Sequence, residues 1–220
     1  MTHLSALLKS LQPHRLFGSA LRGEPHVFDF SPDNPAVALW DTAHFAPFQE
    51  AVYGELEQSG KSWGIGRYLE DRSGLLHSYP QIIDEGRVIH AGLDITALPG
   101  TALFAPLNSE VIEAGKEEGL GNYGGYVLLR HCLGSEQFYS FYGHLCSRHR
   151  VTQGQKLLAG ASFAVIGEAE DSGGWFTHTH LQMLTEKAME QGRMLQGYIT
   201  QEDLAKVDEL FPSPHLLFRY

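Results

Sequence analysis

Residues 121–144 read GNYGGYVLLRHCLGSEQFYSFYGH. Two runs rich in aromatic and β-branched residues, Tyr126–Cys132 and Gln137–His144, lie on either side of Gly134-Ser135. Such residues suit a pleated, largely buried surface, and a short glycine-containing turn between them is a hairpin signal. The stretch therefore predicts two neighbouring antiparallel strands. Working outward, short apolar or alternating runs recur between Gly, Pro and Asn punctuation. They are Arg87–His90, Leu93–Thr96, Ala102–Ala105 and Ser109–Ala114 on one side, and Lys156–Leu158, Ala164–Gly167 and His178–Leu184 on the other. Spacing this regular predicts a mainly β core, an antiparallel sheet or sandwich, over residues 71–200.

The flanks have a different texture. Residues 1–70 read as a mixed, partly helical extension. It holds a helix-like stretch at Leu4–Leu11, a Pro- and Asp-punctuated segment, PHVFDFSPDNP, and a helix at Phe45–Ser59 with Phe48, Val52 and Leu56 at four-residue steps. The segment GKSWGIGRYLEDR, residues 60–72, reads as a loop into the core. Residues 201–220 read as a short helix, Gln201–Glu209, with Thr200 as its N-cap, followed by an apolar tail, FPSPHLLFRY, that packs down.

Bulk properties narrow the function. The chain has 220 residues, 43% apolar and 19% charged, which suits a globular protein with one sizeable core. A formal charge of −10 disfavours nucleic acid and anionic membrane surfaces as partners. With Met1 as the start, the opening residues lack a secretory pattern, so a cytoplasmic location is expected. Cys132 and Cys146 stand alone, far from CxxC spacing, and read as two free buried thiols. The twelve histidines, against sixteen lysines and arginines together, direct attention to metal or acid–base chemistry.

Three short motifs carry that chemistry. In a strand, residues two apart share a face, so His178 and His180 project together from THTHLQML. Two adjacent imidazoles repel when both are protonated, and a divalent cation, or a division into one ligand and one proton carrier, removes the conflict. Two exposed histidines on a sheet face would look the same. His90 and Asp94, in HAGLD, share a face on a helix or on a strand; Gly92 and the flanking Val88, Ile89 and Ile95 favour a strand bent at Gly92. A carboxylate with imidazoles is an appropriate donor set for zinc. The third motif, YGHL, puts His144 at the end of a strand, where a satisfied core or loop histidine is the alternative.

Taken in order, HAGLD, YGHL and HTH resemble the lysostaphin/LytM family of zinc endopeptidases. GTALFAPLNSEVIEAG, GNYGGYVLLRH and VTQGQKLLAGASFAVIG resemble the segments between that family's motifs, so the likeness spans about residues 84 to 185. It implies a LytM-like β core and one zinc ion (Zn2+) per chain held by His90, Asp94 and His180. It further implies that His144 and His178 move protons or stabilise charge while water attacks an amide. Members of the family commonly cut peptide bonds in peptidoglycan. The run SGGWFT before HTH departs from the family pattern, with Trp175 and Phe176 expected at the rim of the cleft. Gln182 also stands near a position where an aromatic is more usual. The flanking IGRYLEDR and PSPHLLF resemble a cytoplasmic branch found joined to aminotransferase-like and kinase-like domains.

The resulting expectation is a zinc metallopeptidase acting on a peptide or small amide. A zinc amidohydrolase of a cytoplasmic small molecule and a non-catalytic metal-binding regulatory domain are the alternatives. Oligomeric state is not readable. Tyr142 lines the cleft or packs on the sheet, His131 orients a metal ligand or is structural, and Asn122 contacts substrate or makes a turn. Glu110, Glu113 and Lys116-Glu117-Glu118 read as solvated surface; His77, His149 and His215 carry no pattern.

Overall fold

The structure is a computed structural model that describes residues 3–220; Met1 and Thr2, the start of the N-terminal stretch, lie outside them. The hairpin at the centre of the sequence is the centre of the fold. Strands β7 (Gly124–Leu133) and β8 (Glu136–Leu145) pair antiparallel across Gly134-Ser135. Around them an eight-stranded sheet runs in the order β1-β2-β4-β11-β8-β7-β6-β9, where β1 is His26–Val27, β2 Gly64–Gly66, β4 Leu93–Thr96, β6 Ser109–Glu117, β9 Lys156–Leu157 and β11 Thr179–Thr185. All neighbours are antiparallel except β1 and β2. Two further pairs lie apart from this sheet: β3 (Ile89–His90) with β12 (Tyr198–Ile199), and β5 (Ala102–Phe104) with β10 (Ser162–Val165).

The central strands are buried on both faces, which is why their sequences read as nearly continuous apolar runs. Val127, Leu129, Tyr142 and Leu181 enter one core with Leu103 of β5 and Phe163 of β10. Tyr126, Leu128, Phe141 and Leu184 enter the opposite core with Ile89 of β3 and Ile199 of β12. Each fully buried Leu or Phe contributes roughly 1.5–3 kcal/mol, so the two cores hold the sheet as the middle layer. The expected mainly β, antiparallel architecture is therefore what forms.

Helices sit at the margins. They are α1 (His3–Lys9), α2 (Phe45–Gln58), α3 (Pro80–Ile83), α4 (Glu186–Glu190) and α5 (Val207–Leu210). In α2 the buried residues are Phe48, Val52 and Leu56, the apolar steps of the sequence. They meet Phe28, Phe30, Tyr79, Trp175 and Phe176 in an aromatic cluster. Thr200 does cap the C-terminal element through a reciprocal bond pattern with Asp203. The element itself splits into a 3-10 turn, Gln201–Lys206, and α5. The tail packs down, with Leu217 and Phe218 buried.

Two expectations need correction. Segment 60–72 is not simply a loop, because β2 lies inside it and pairs with β4, with Gly66 opposite Asp94. Three residues are too few to show a period, and only the neighbouring strand makes them a strand. The cysteines are free but not buried: Cys132 is exposed and Cys146 half-buried. Cys132 sits near the hairpin tip, where the alternation of the strand turns it outward.

Candidate metal centre

His90, Asp94 and His180 arrive from three strands and two sheets. Asp94 and His180 face each other across the β4–β11 ladder. His90, on β3, is brought over them because the chain leaves one sheet for another at Ala91-Gly92. The bend expected at Gly92 is thus a strand break, and its glycine is required: a Cβ there would lie 2.3 Å from Cε1 of His180. All three side chains are buried.

Their donor atoms form a nearly equilateral triangle. His90 Nε2 lies 3.1 Å from His180 Nδ1 and 3.2 Å from Asp94 Oδ1, and His180 Nδ1 lies 3.1 Å from Asp94 Oδ1. Among the described residues, this is the cluster of His, Cys, Asp or Glu whose donor atoms all lie within 4.8 Å of one another. Tetrahedral zinc bonds of about 2.0–2.2 Å place neighbouring donors roughly 3.3 Å apart, which the triangle matches.

The partners behind each ring set its tautomer. His90 Nδ1 donates to the carbonyl of Arg67 at 2.8 Å, leaving the lone pair on Nε2. His180 Nε2 lies 2.9 Å from Gln182 Oε1. The Gln182 amide nitrogen donates to Gln196 O, so its oxygen accepts and His180 Nδ1 keeps the lone pair. Burial and the charge of Arg72 push His90 down to about 4, so it is neutral at pH 7. Burial opposes ionisation of Asp94, but His90 and Arg72 hold its carboxyl well below the usual carboxylate range. A neutral His90 and an ionised Asp94 are the protonation states a divalent metal takes, and the lone pair on His180 Nδ1 is directed at the same point.

His178 and His144 stand beside the triangle. His178 Nε2 lies 3.5 Å from Asp94 Oδ1 while Nδ1 donates to Phe176 O at 2.7 Å. The His178 and His144 rings are 4.3 Å apart. Burial pushes His178 down to about 4 and His144 well below its usual range. His144 has φ +58° and lies at an irregularity between β7 and β8, where the register shifts between Gly125 and Val127. A bulge re-aims a side chain: His144 turns to His178, whereas Tyr142 stays in the core, its ring 4.9 Å from Phe163. Of the two readings of Tyr142, packing is the observed one. The second non-glycine residue with positive φ, Leu69, lies directly behind His90.

A cavity of about 160 Å³ opens onto the cluster. Its walls include Arg87, Glu117, Asn122, Tyr123, Trp175 and Tyr198. Trp175 is a buried wall that stacks on Tyr79, with centroids 4.4 Å apart, rather than a residue of the rim. Phe176 is buried in the aromatic cluster, 5.1 Å from Phe48, and also stacks on the ring of His178 with centroids 4.3 Å apart. Glu117, expected on the surface, lines the cavity and accepts the Tyr123 N–H at 3.1 Å. Asn122 lines it too while bonding Glu118 O within its turn. His131 is structural, lying between Ser140 Oγ at 2.7 Å and Asn108 O at 3.3 Å.

Sequence reasoning missed four residues that touch the cluster. Gln182 was findable, since it continues the face of His178 and His180. Tyr123, whose hydroxyl lies 3.4 Å from His180 Nε2, Tyr198, whose ring is 5.5 Å from His90, and Arg72, whose Nη1 donates to Asp94 Oδ2 at 2.5 Å, carry no local signal. Each reaches the site only through tertiary packing.

Residues 88–192 match the family model described as "Peptidase family M23". All five histidine and aspartate positions lie inside that segment. Among solved structures, lysostaphin in solution is similar at 23% identity, over 56% of this chain and 44% of that one, with a TM-score of 0.42. LytU is similar at 23% identity, over 60% and 81%, with a TM-score of 0.39. A zinc-containing peptidase from Vibrio cholerae is similar at 24% identity, over 44% and 28%, with a TM-score of 0.36. This chain thus spans less than half the length of the lysostaphin and Vibrio cholerae chains. No curated protein matches.

Proposed function

From the match of residues 88–192 to the model of peptidase family M23, we propose that this protein hydrolyses an amide bond of a peptide or small amide with water activated at one zinc ion. His90 Nε2, Asp94 Oδ1 and His180 Nδ1 would hold the metal. The observation that carries this reading is the donor triangle. Three acceptor atoms about 3.1–3.2 Å apart repel one another, and a cation among them turns that repulsion into binding.

Zinc in such a set supplies Lewis acidity, lowering the pKa of water and polarising a carbonyl. The chain's own residues supply the rest. His178 has its Nδ1–H fixed on Phe176 O, so Nε2 is free to accept a proton beside the reacting atoms and to return it to the leaving nitrogen. Neighbouring His144, neutral by burial, donates to or accepts from the same space. Trp175 and Tyr198 form a dry wall that strengthens each of these interactions.

The test is metal analysis of the full-length chain together with turnover on a peptide mixture, cell-wall material and a panel of small amides. One zinc per chain, hydrolysis by the wild type, and loss of hydrolysis with retained zinc in His178→Ala are expected. A chain that takes up no zinc, or a zinc-loaded chain that cleaves none of the three substrate sets, overturns the reading. Cleavage of small amides alone would favour the amidohydrolase alternative.

A further inference from the structure

We propose that Arg72, outside the M23 segment, is a positioning residue of the metal centre that restricts Asp94 to a single coordinating oxygen. This rests on the zinc reading above and concerns how this particular chain builds the site.

The two oxygens of Asp94 have different company. Oδ1 faces His90, His178 and His180 at 3.1–3.5 Å. Oδ2 receives Nη1 of Arg72 at 2.5 Å. Arg72 is 1% exposed and is itself held from three directions. Its Nε donates to Glu70 Oε2 at 3.2 Å, its guanidinium lies 4.9 Å over the Phe30 ring, and its backbone N–H donates to Val88 O at 2.8 Å. The remaining nitrogen, Nη2, is buried without a partner. Burying a guanidinium and leaving one donor unpaired is costly, and an apolar side chain of similar volume would fill the space as well or better. What an apolar side chain cannot do is occupy Oδ2.

The neighbouring backbone is built for this contact. Gly66 pairs with Asp94, and a Cβ on Gly66 would lie 2.6 Å from Arg72 Nη2 and 2.9 Å from the Phe30 ring. Segment 67–72 also backs His90. Arg67 O accepts its ring N–H, Leu69 N donates to its carbonyl, and Glu70 O accepts its amide. Two of the three donors are therefore set by a short stretch that precedes the family segment. Partners behind a ligand commonly alter metal affinity by about 10–100-fold.

The experiment titrates zinc into the metal-free full-length wild type, Arg72→Met, the double variant Arg72→Met/Glu70→Gln, and Arg72→Lys, against a chromophoric chelator. The visible spectrum of each Co2+-loaded form is recorded alongside. In either methionine variant, zinc affinity should fall about 10–100-fold. The Co2+ bands should weaken and shift to shorter wavelength as Asp94 offers its second oxygen and coordination number rises. Circular dichroism verifies folding; should the methionine variants not fold, the lysine variant decides, since a point charge cannot hold Asp94 and Glu70 in the fork geometry of arginine. Wild-type affinity and spectrum in a folded variant overturn the proposal. A wild type that binds no metal overturns the zinc reading itself, which separates the two failures.

Discussion

Buried imidazoles in two regions of the protein behave differently. His131, on β7, is satisfied on both nitrogens by Ser140 and Asn108, and its ring stacks on Phe138 with centroids 5.0 Å apart. On β3 and β11, His90 and His180 have one nitrogen satisfied while the other converges on Asp94. Burial is equal in the two places. The difference is the direction of the lone pairs, so histidine count and burial do not locate chemistry; unshared acceptors pointing at a common centre do.

That contrast can be broken from either side. The largest effect is expected in Asp94→Ala, which should abolish stoichiometric zinc retention after dialysis and reduce hydrolysis to background, read by metal analysis and a turnover assay. His178→Ala should retain its zinc while kcat falls about 10²–10⁴-fold, the usual contribution of a positioned acid or base. Loss of zinc there would place His178 among the ligands and redraw the triangle. His131→Ala should leave zinc content and kcat unchanged yet lower stability by about 2–4 kcal/mol, from a lost buried contact and an orphaned Ser140 hydroxyl, read by urea unfolding.

The smallest effect is a slope. Burial pushes His131 down to about 4 from its ordinary 6.5. The unfolded chain therefore takes up a proton first as pH falls. The stability contributed by keeping this ring neutral is complete above about pH 6.5 and is lost progressively toward pH 4, at no more than about 1.4 kcal/mol per pH unit. Unfolding of the metal-free protein between pH 7 and 5 should accordingly be less steeply pH-dependent in His131→Gln than in wild type. Equal slopes would show that His131 is not the source.

The two halves of the contrast also differ in how far they could be read in advance. The β7–β8 hairpin was legible because Gly134-Ser135 and its flanking runs are local signals. The helical face Phe48, Val52, Leu56 was legible for the same reason, as was the shared face of His178 and His180. Strands β1, β2 and β12 were not, since two or three residues carry no period and become strands only by pairing with a neighbour. The sequence suggests a rim for Trp175 and Phe176 because nothing in SGGWFT reveals Phe30, Phe48 and Tyr79, more than ninety positions earlier. Glu117 looked like surface because its charge run is solvated for most of its length.

What the sequence determined alone is the periodic part: an antiparallel β core, the strand faces that carry HxH, and a donor set of two imidazoles and a carboxylate appropriate to zinc. The tertiary structure decided the convergent part: the 3.1 Å triangle, the tautomers set by Arg67 and Gln182, and the buried Arg72 behind Asp94. The reason is range. Alternation and turns act over a few residues and leave a mark in the chain. Contacts between His180 and Asp94, 86 positions apart, depend on which strands become neighbours, and that is settled only when the two cores close on the sheet.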